Sequence, residues 1–245
     1  MELRLKINRM NPAEYFASLG VLELLSRQDN NLRSHFAGEG NLVDFTITSA
    51  QDIALGDLRA LTVEALPFHD PYTAPTKVGD MRLDWWLDVY KEKKNGSLAL
   101  WAGTCMPGAM LRNYQLLMQG EFNEQALNVS VVTKTKSCFN LDTRASRDAL
   151  DIGYSQKDAG EKAVLYPYAE FLCACGLQNF RPVMKPMTYY TWSRPVLVSI
   201  AHAACRQEVN GLGSRGFEVS MKMVGQGLRQ VDCVASLISS SRAAA

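Results

Sequence analysis

Cations interleaved with aromatic rings are the residues of this sequence best equipped for chemistry, and that chemistry is binding. The stretch from Lys134 to Ser155 reads KTKSCFNLDTRASRDALDIGYS, polar and without apolar periodicity. In it Lys134, Lys136, Arg144 and Arg147 are interspersed with Phe139 and Tyr154. Such loops track a phosphate backbone with their cations while aromatic faces stack on bases; a solvated connector between two halves has the same composition. A second cluster, Phe180 to Ser193, places Tyr189, Tyr190 and Trp192 near Arg181, Lys185 and Arg194. It reads as a basic, aromatic strand pair broken at Pro182 and Pro186, since proline belongs to strand edges and turns. Arg215 lies in the glycine-rich turn GLGSRG, which lacks the Lys-Ser/Thr ending of a phosphate loop. The expected nucleic-acid-binding set is therefore Lys134, Lys136, Arg144, Arg147, Arg181, Lys185, Tyr190, Trp192, Arg194 and Arg215.

Residues that could cleave rather than bind are less well organised. A metal-dependent nuclease needs clustered carboxylates. Asp84 with Asp88, or Asp142 with Asp148 and Asp151, are the candidates, and each sits among basic residues where salt bridging explains it equally well. A thiol hydrolase would need a base near Cys105 or Cys138, and none is indicated. The six cysteines supply no C-x-x-C pair; Cys173 and Cys175, two apart on an expected helix, point in different directions. His35, His69 and His202 are scattered. No metal, no cofactor and no catalytic residue is expected.

The 245 residues are 47% hydrophobic and 21% charged, a balance that supports a substantial core. Net charge is only +1, yet residues 162–245 carry nine Lys+Arg against four Asp+Glu, whereas the preceding residues carry an acidic surplus. Such asymmetry suits a face that meets a polyanion, or a modest surplus spread over solvated surface. The N-terminus shows no basic segment followed by an apolar run, and no apolar run is long enough to span a bilayer. A reduced, cytoplasmic setting with buried thiols is the expectation.

The elements that must position these residues centre on two similar helices. Ala13–Leu22 reads AEYFASLGVL and Ala169–Gln178 reads AEFLCACGLQ, with Ala, Glu and Gly coincident. Each follows a proline, suited to a first helical turn, and each places Glu where the helix dipole favours negative charge. Chance and structural duplication both account for this similarity. The first helix should run from an Asn11 cap to about Gln28, apolar on most sides and hence buried; the second should span 163–177. Strands are expected at Glu2–Ile7, Leu32–Ala37, Leu42–Thr48, Met81–Leu87 with Trp85 and Trp86 on opposite faces, Val129–Thr133 and Phe217–Met223. Further helices are expected over 52–66, 104–119 and 195–206, with a loop over 67–80 and a short last element over 231–238. The fold class is α+β: antiparallel sheets packed on two buried central helices, as two related halves (1–133 and 163–245) joined by the basic polar connector 134–162.

In order along the chain, an early strand, NPAEYFASLGVLEL, an LDWW segment, LALWAG, SRDALDIGYS and YPYAEFLCACGLQNFRP cover most of residues 1–182. This series resembles the CRISPR-associated Csb-type subunits of subtype I-U (also called I-G) systems, in particular the third Csb family, a variant of the Cascade large subunit. The resemblance implies a non-catalytic subunit of an RNA-guided surveillance complex in antiviral defence. Its partners would be guide RNA, target DNA and the other Cascade subunits, with no membrane. In such complexes guide pairing reads sequence while protein reads backbone shape and a short flanking motif. It carries over no catalytic residue. A metal-dependent nuclease of the same system and a purely protein-interacting scaffold are the alternative readings.

Overall fold

A computed structural model describes residues 1–86, 106–133, 142–144, 163–183, 187–224 and 228–237. The chain is α+β, with small antiparallel sheets around a central pair of packed helices. Strand β1 (Glu2–Asn8) alternates exposed Glu2, Arg4 and Lys6 with the inward Leu5 and Ile7, the period of two expected of a half-buried strand. It pairs with β3 (Leu42–Thr48), which pairs in turn with β2 (Arg33–Ala37). A two-residue strand from far along the chain, β10 (Val196–Leu197), closes this sheet against β2. A second sheet runs β12 (Leu228–Leu237), β11 (Arg215–Val224), β9 (Met187–Thr191). The smaller sheets are β4 (Val63–Ala65), β5 (Thr76–Val78), β6 (Met81–Leu83), and the pair β7 (Val131–Thr133) with β8 (Ala163–Leu165).

Helix α1 (Pro12–Ser26) starts as its sequence dictates. The Asn11 side chain accepts from the Ala13 N–H, and Pro12 occupies the first turn. Nearly every α1 side chain is buried, because the sheet covers one side and α3 (Pro167–Gly176) the other. Two glycines set the α1–α3 crossing. A Cβ built on Gly20 would overlap the Leu172 carbonyl oxygen, 2.8 Å from its carbon and 3.1 Å from the Gly176 nitrogen. A Cβ on Gly176 would overlap the Phe16 carbonyl oxygen, 2.8 Å from the Gly20 nitrogen. The relation is reciprocal: the residue four before each glycine supplies the carbonyl that abuts the other. The two similar segments thus meet back to back at equivalent positions, at a distance only glycine permits.

Helix α2 (Pro107–Leu117) packs on α3, and α4 (Val198–Ala204) lies beside α1 and β2. A column of rings crosses the core: Phe217 stacks on Tyr189 at 5.6 Å, Tyr189 on Tyr15 at 4.3 Å and Tyr15 on Phe36 at 5.4 Å, and Trp192 meets Phe36 edge-on at 4.9 Å.

The structure departs from the sequence reading in several places. The expected loop over 67–80 contains β5, paired with β4 and β6, and the helix expected from 195 begins at Val198 because Val196–Leu197 pairs with β2. No helix forms over 52–66. Asp57 caps only a single 3-10 turn at Leu58–Ala60, and the β-branched Val63 begins a strand that pairs with β5, so pairing across the loop overrides local propensity. The second central helix begins at Pro167, because Ala163–Leu165 is taken up by pairing with β7. Trp85 and Trp86 lie past the end of β6 and are both buried, their rings edge-to-face at 5.9 Å.

Candidate functional site

Lys134, Lys136, Arg147 and Lys185 lie outside the described residues, as do Asp88, Asp148, Asp151, Cys105 and Cys138. The described members of the expected binding set range from residues committed to the interior, through the half-buried Tyr190 and Arg181, to residues facing solvent.

Arg144 belongs to the interior. Its Nε and one terminal nitrogen bond both oxygens of Asp142 at 3.0 and 2.7 Å, and that same nitrogen donates to the Leu127 carbonyl at 3.0 Å. The other terminal nitrogen donates to Asn128 at 2.9 Å and approaches Glu14 at 3.3 Å. The guanidinium lies 3.8 Å from the centre of the Tyr166 ring. Burial opposes its charge, but the hydrogen bonds and ion pairing with Asp142, aided by Glu14, raise its pKa overall. The reason for the cluster is helix α1. Glu14 accepts from the Asn8 N–H at 2.8 Å and from Asn11 at 2.9 Å, and Asn11 also donates to Asp142 at 3.0 Å. Two buried carboxylates at the start of α1 require a cation, and Arg144 supplies it. Its expected role as a free phosphate ligand is corrected accordingly: every nitrogen of its side chain is engaged within the fold.

Trp192 is also corrected. It is 0% exposed, its indole N–H donates to the Ser34 carbonyl at 2.8 Å, and Phe36 and Phe45 meet it edge-on. No face is open to a base. Tyr189, equally buried, donates its hydroxyl to the Arg9 carbonyl at 2.9 Å. Tyr190 is half-buried, with its backbone carbonyl accepting from the Tyr15 hydroxyl. The alternation along β9 assigns these faces: its pairing with β11 turns Tyr189 into the aromatic column. Arg181 is partly spent, donating to the Gln178 carbonyl at 2.9 Å and to Asp84 at 3.3 Å.

Arg194 and Arg215 face solvent. Arg215 opens β11 two residues before Phe217, so both side chains leave the same face of the strand. Over the Phe217 ring, 5.5 Å from its centre, stands Arg9, a residue the sequence reading passed over as part of a turn. Arg9 is 5% exposed, and its Nε has no hydrogen-bond partner among the described residues. Burial and the neighbouring Arg215 charge both lower its pKa. The signal that could have found it is its place: a cation in the tight NRMN turn between a buried strand and a buried helix has little room to reach water.

The carboxylates offered for cleavage chemistry are tied to cations where they are described: Asp142 to Arg144, and Asp84 to Arg82 and Arg181. Among the described residues no group of three His, Cys, Asp or Glu is placed to hold a metal ion. Cys173, Cys175 and Cys205 are buried free thiols; burial pushes Cys175 and Cys205 up to about 12 and raises Cys173 well above its ordinary value, so they are poor nucleophiles. No helix of the described residues is long and apolar enough to cross a membrane. No protein-family model, curated protein or solved structure matches the chain.

Proposed function

We propose that the chain is a non-catalytic subunit of a type I CRISPR RNA-guided surveillance complex, acting in the cytoplasm. In this reading it contacts guide RNA or target DNA through backbone phosphates and holds neighbouring subunits. Phosphate contacts position a nucleic acid without reading its sequence, and they require cations that are not already neutralised. The observation that carries the reading is the pair of solvent-facing arginines, Arg194 and Arg215, on a segment with a net basic surplus. The resemblance of its ordered blocks to the third Csb family points the same way. The test is purification of the chain together with the other products of its operon, followed by sequencing of bound RNA. Guide-derived RNA in the complex, lost steeply as salt rises, is the expected result; a complex free of RNA overturns it.

The second reading is a scaffold that binds protein alone. The internal pairing of Arg144 and Arg181 favours it, because it reduces the cations left for phosphates. Partner affinity that is indifferent to salt would select this reading.

A further inference from the structure

We infer that Arg9 and Arg215 together form a binding site for a phosphate group. Arg9 comes from the turn between β1 and α1 and stands over the Phe217 ring; Arg215 is the first residue of β11, two before Phe217 and on the same face of the strand. The backbone around Arg9 is fixed on both sides: its N–H donates to the Asn41 carbonyl at 2.9 Å and its carbonyl accepts from Tyr189. Its side chain leaves this anchored turn to lie, 5% exposed, over the Phe217 ring.

What remains is an electrostatic imbalance. A buried guanidinium normally has a carboxylate partner, as Arg144 has in this same molecule. Arg9 has none among the described residues; its charged neighbour is another arginine. Its Nε–H is buried without an acceptor, and the ring of Phe217 answers the charge only weakly at 5.5 Å. Two guanidinium groups with an unmet donor suit an anion with several acceptor oxygens, and forked arginine donors match phosphate oxygens in pairs. Arg215, exposed, would meet the phosphate first, and Arg9 would take it from beneath.

The phosphate could belong to a nucleic-acid backbone or to a free phosphate. Only the first source rests on the function proposed above; the site itself does not. The full chain is heated with inorganic phosphate, and with chloride at matched ionic strength. A rise in Tm of about 2–4 °C with phosphate alone is expected at phosphate about five times its Kd. Arg215→Gln, a surface change, should abolish that rise. Arg9→Met should abolish it too while leaving the ligand-free Tm no lower than wild type, because it removes a buried charge that lacks a partner. A phosphate response that is absent, matched by chloride, or intact in Arg215→Gln overturns the site, as does an Arg9→Met protein that is destabilised but still responds.

A second arm measures binding of a single-stranded RNA oligonucleotide. Loss of roughly tenfold affinity in Arg215→Gln, with the slope of log K against log salt shallower by about one, assigns the site to a nucleic-acid backbone. RNA binding unchanged by a substitution that abolishes the phosphate response keeps the site, assigns it to a free phosphate, and removes this support from the surveillance-complex reading.

Discussion

Replacing Gly20 with alanine should destabilise the fold although it improves the helix. In isolation the change favours α1 by about 1 kcal/mol, since glycine is the poorer helix former. The crossing with α3 reverses the sign. The added carbon would fall on the Leu172 carbonyl, and its 2.8 Å approach to the carbonyl carbon is well inside ordinary contact. The obstacle is backbone, so no rotamer change relieves it. The helices must separate, and gaps of about 0.5–1 Å forfeit a quarter to a half of the dispersion attraction at each contact they open. Overpacking of this kind costs about 1–3 kcal/mol, with the upper end expected where both surfaces are main chain. The net expectation is a loss of about 2 kcal/mol or more, seen as a fall in Tm of roughly 4–8 °C for a chain of this size. Equilibrium unfolding in urea measures it directly. Gly56→Ala is the control, because a Cβ there meets nothing within 4 Å; it should leave stability unchanged or raise it slightly. The double change at Gly20 and Gly176 should cost less than the sum of the two, since one displacement relieves both overlaps. A Gly20→Ala protein within about 0.5 kcal/mol of wild type, by the yardstick of ordinary surface substitutions, would refute the reasoning.

Arg144→Ala should cost about 3 kcal/mol, because it strands the buried carboxylates of Glu14 and Asp142, and any loss of RNA binding should disappear once affinity is expressed per folded molecule. Thermal melts run beside filter binding check this. Asp29 is held below its ordinary pKa by hydrogen bonds from Ser49 and the Asn31 N–H. Its folded value lies under its unfolded one, so its contribution is complete above the usual carboxylate range and is lost as pH falls through the depressed folded value. Asp29→Asn should therefore flatten the acid limb of a stability–pH profile and leave its alkaline side alone. The thiols of Cys173, Cys175 and Cys205 should resist alkylation in the native protein and react only on unfolding; mass mapping that finds any of them labelled under native conditions contradicts their burial.

Much of this fold was legible because local rules acted alone. Asn11, Pro12 and Glu14 announce the start of α1, and the alternation of Leu3, Leu5 and Ile7 announces β1. Legibility ended where a distant partner decided. Glu14 reads as a residue placed for the helix dipole, yet its carboxylate is the hub that draws in Arg144. That commitment, invisible in a stretch of alternating cations and aromatics, is what distinguishes a structural arginine from a binding one. The same holds for Trp192, whose burial follows from packing against β2 and β3 rather than from its basic neighbours. Arg9 escaped notice for the converse reason: its significance is the partner it lacks among the described residues, and composition records only what is present.

The glycine-to-carbonyl crossing also bears on synthesis. While a ribosome extends the chain from Ser26 to Pro167, α1 exists without the helix that seals its back. At about 5–20 residues per second that interval is on the order of ten seconds. The nascent protein therefore carries an uncovered apolar rod for that time, and a truncated product ending before residue 167 carries it permanently, a natural target for chaperones and proteases.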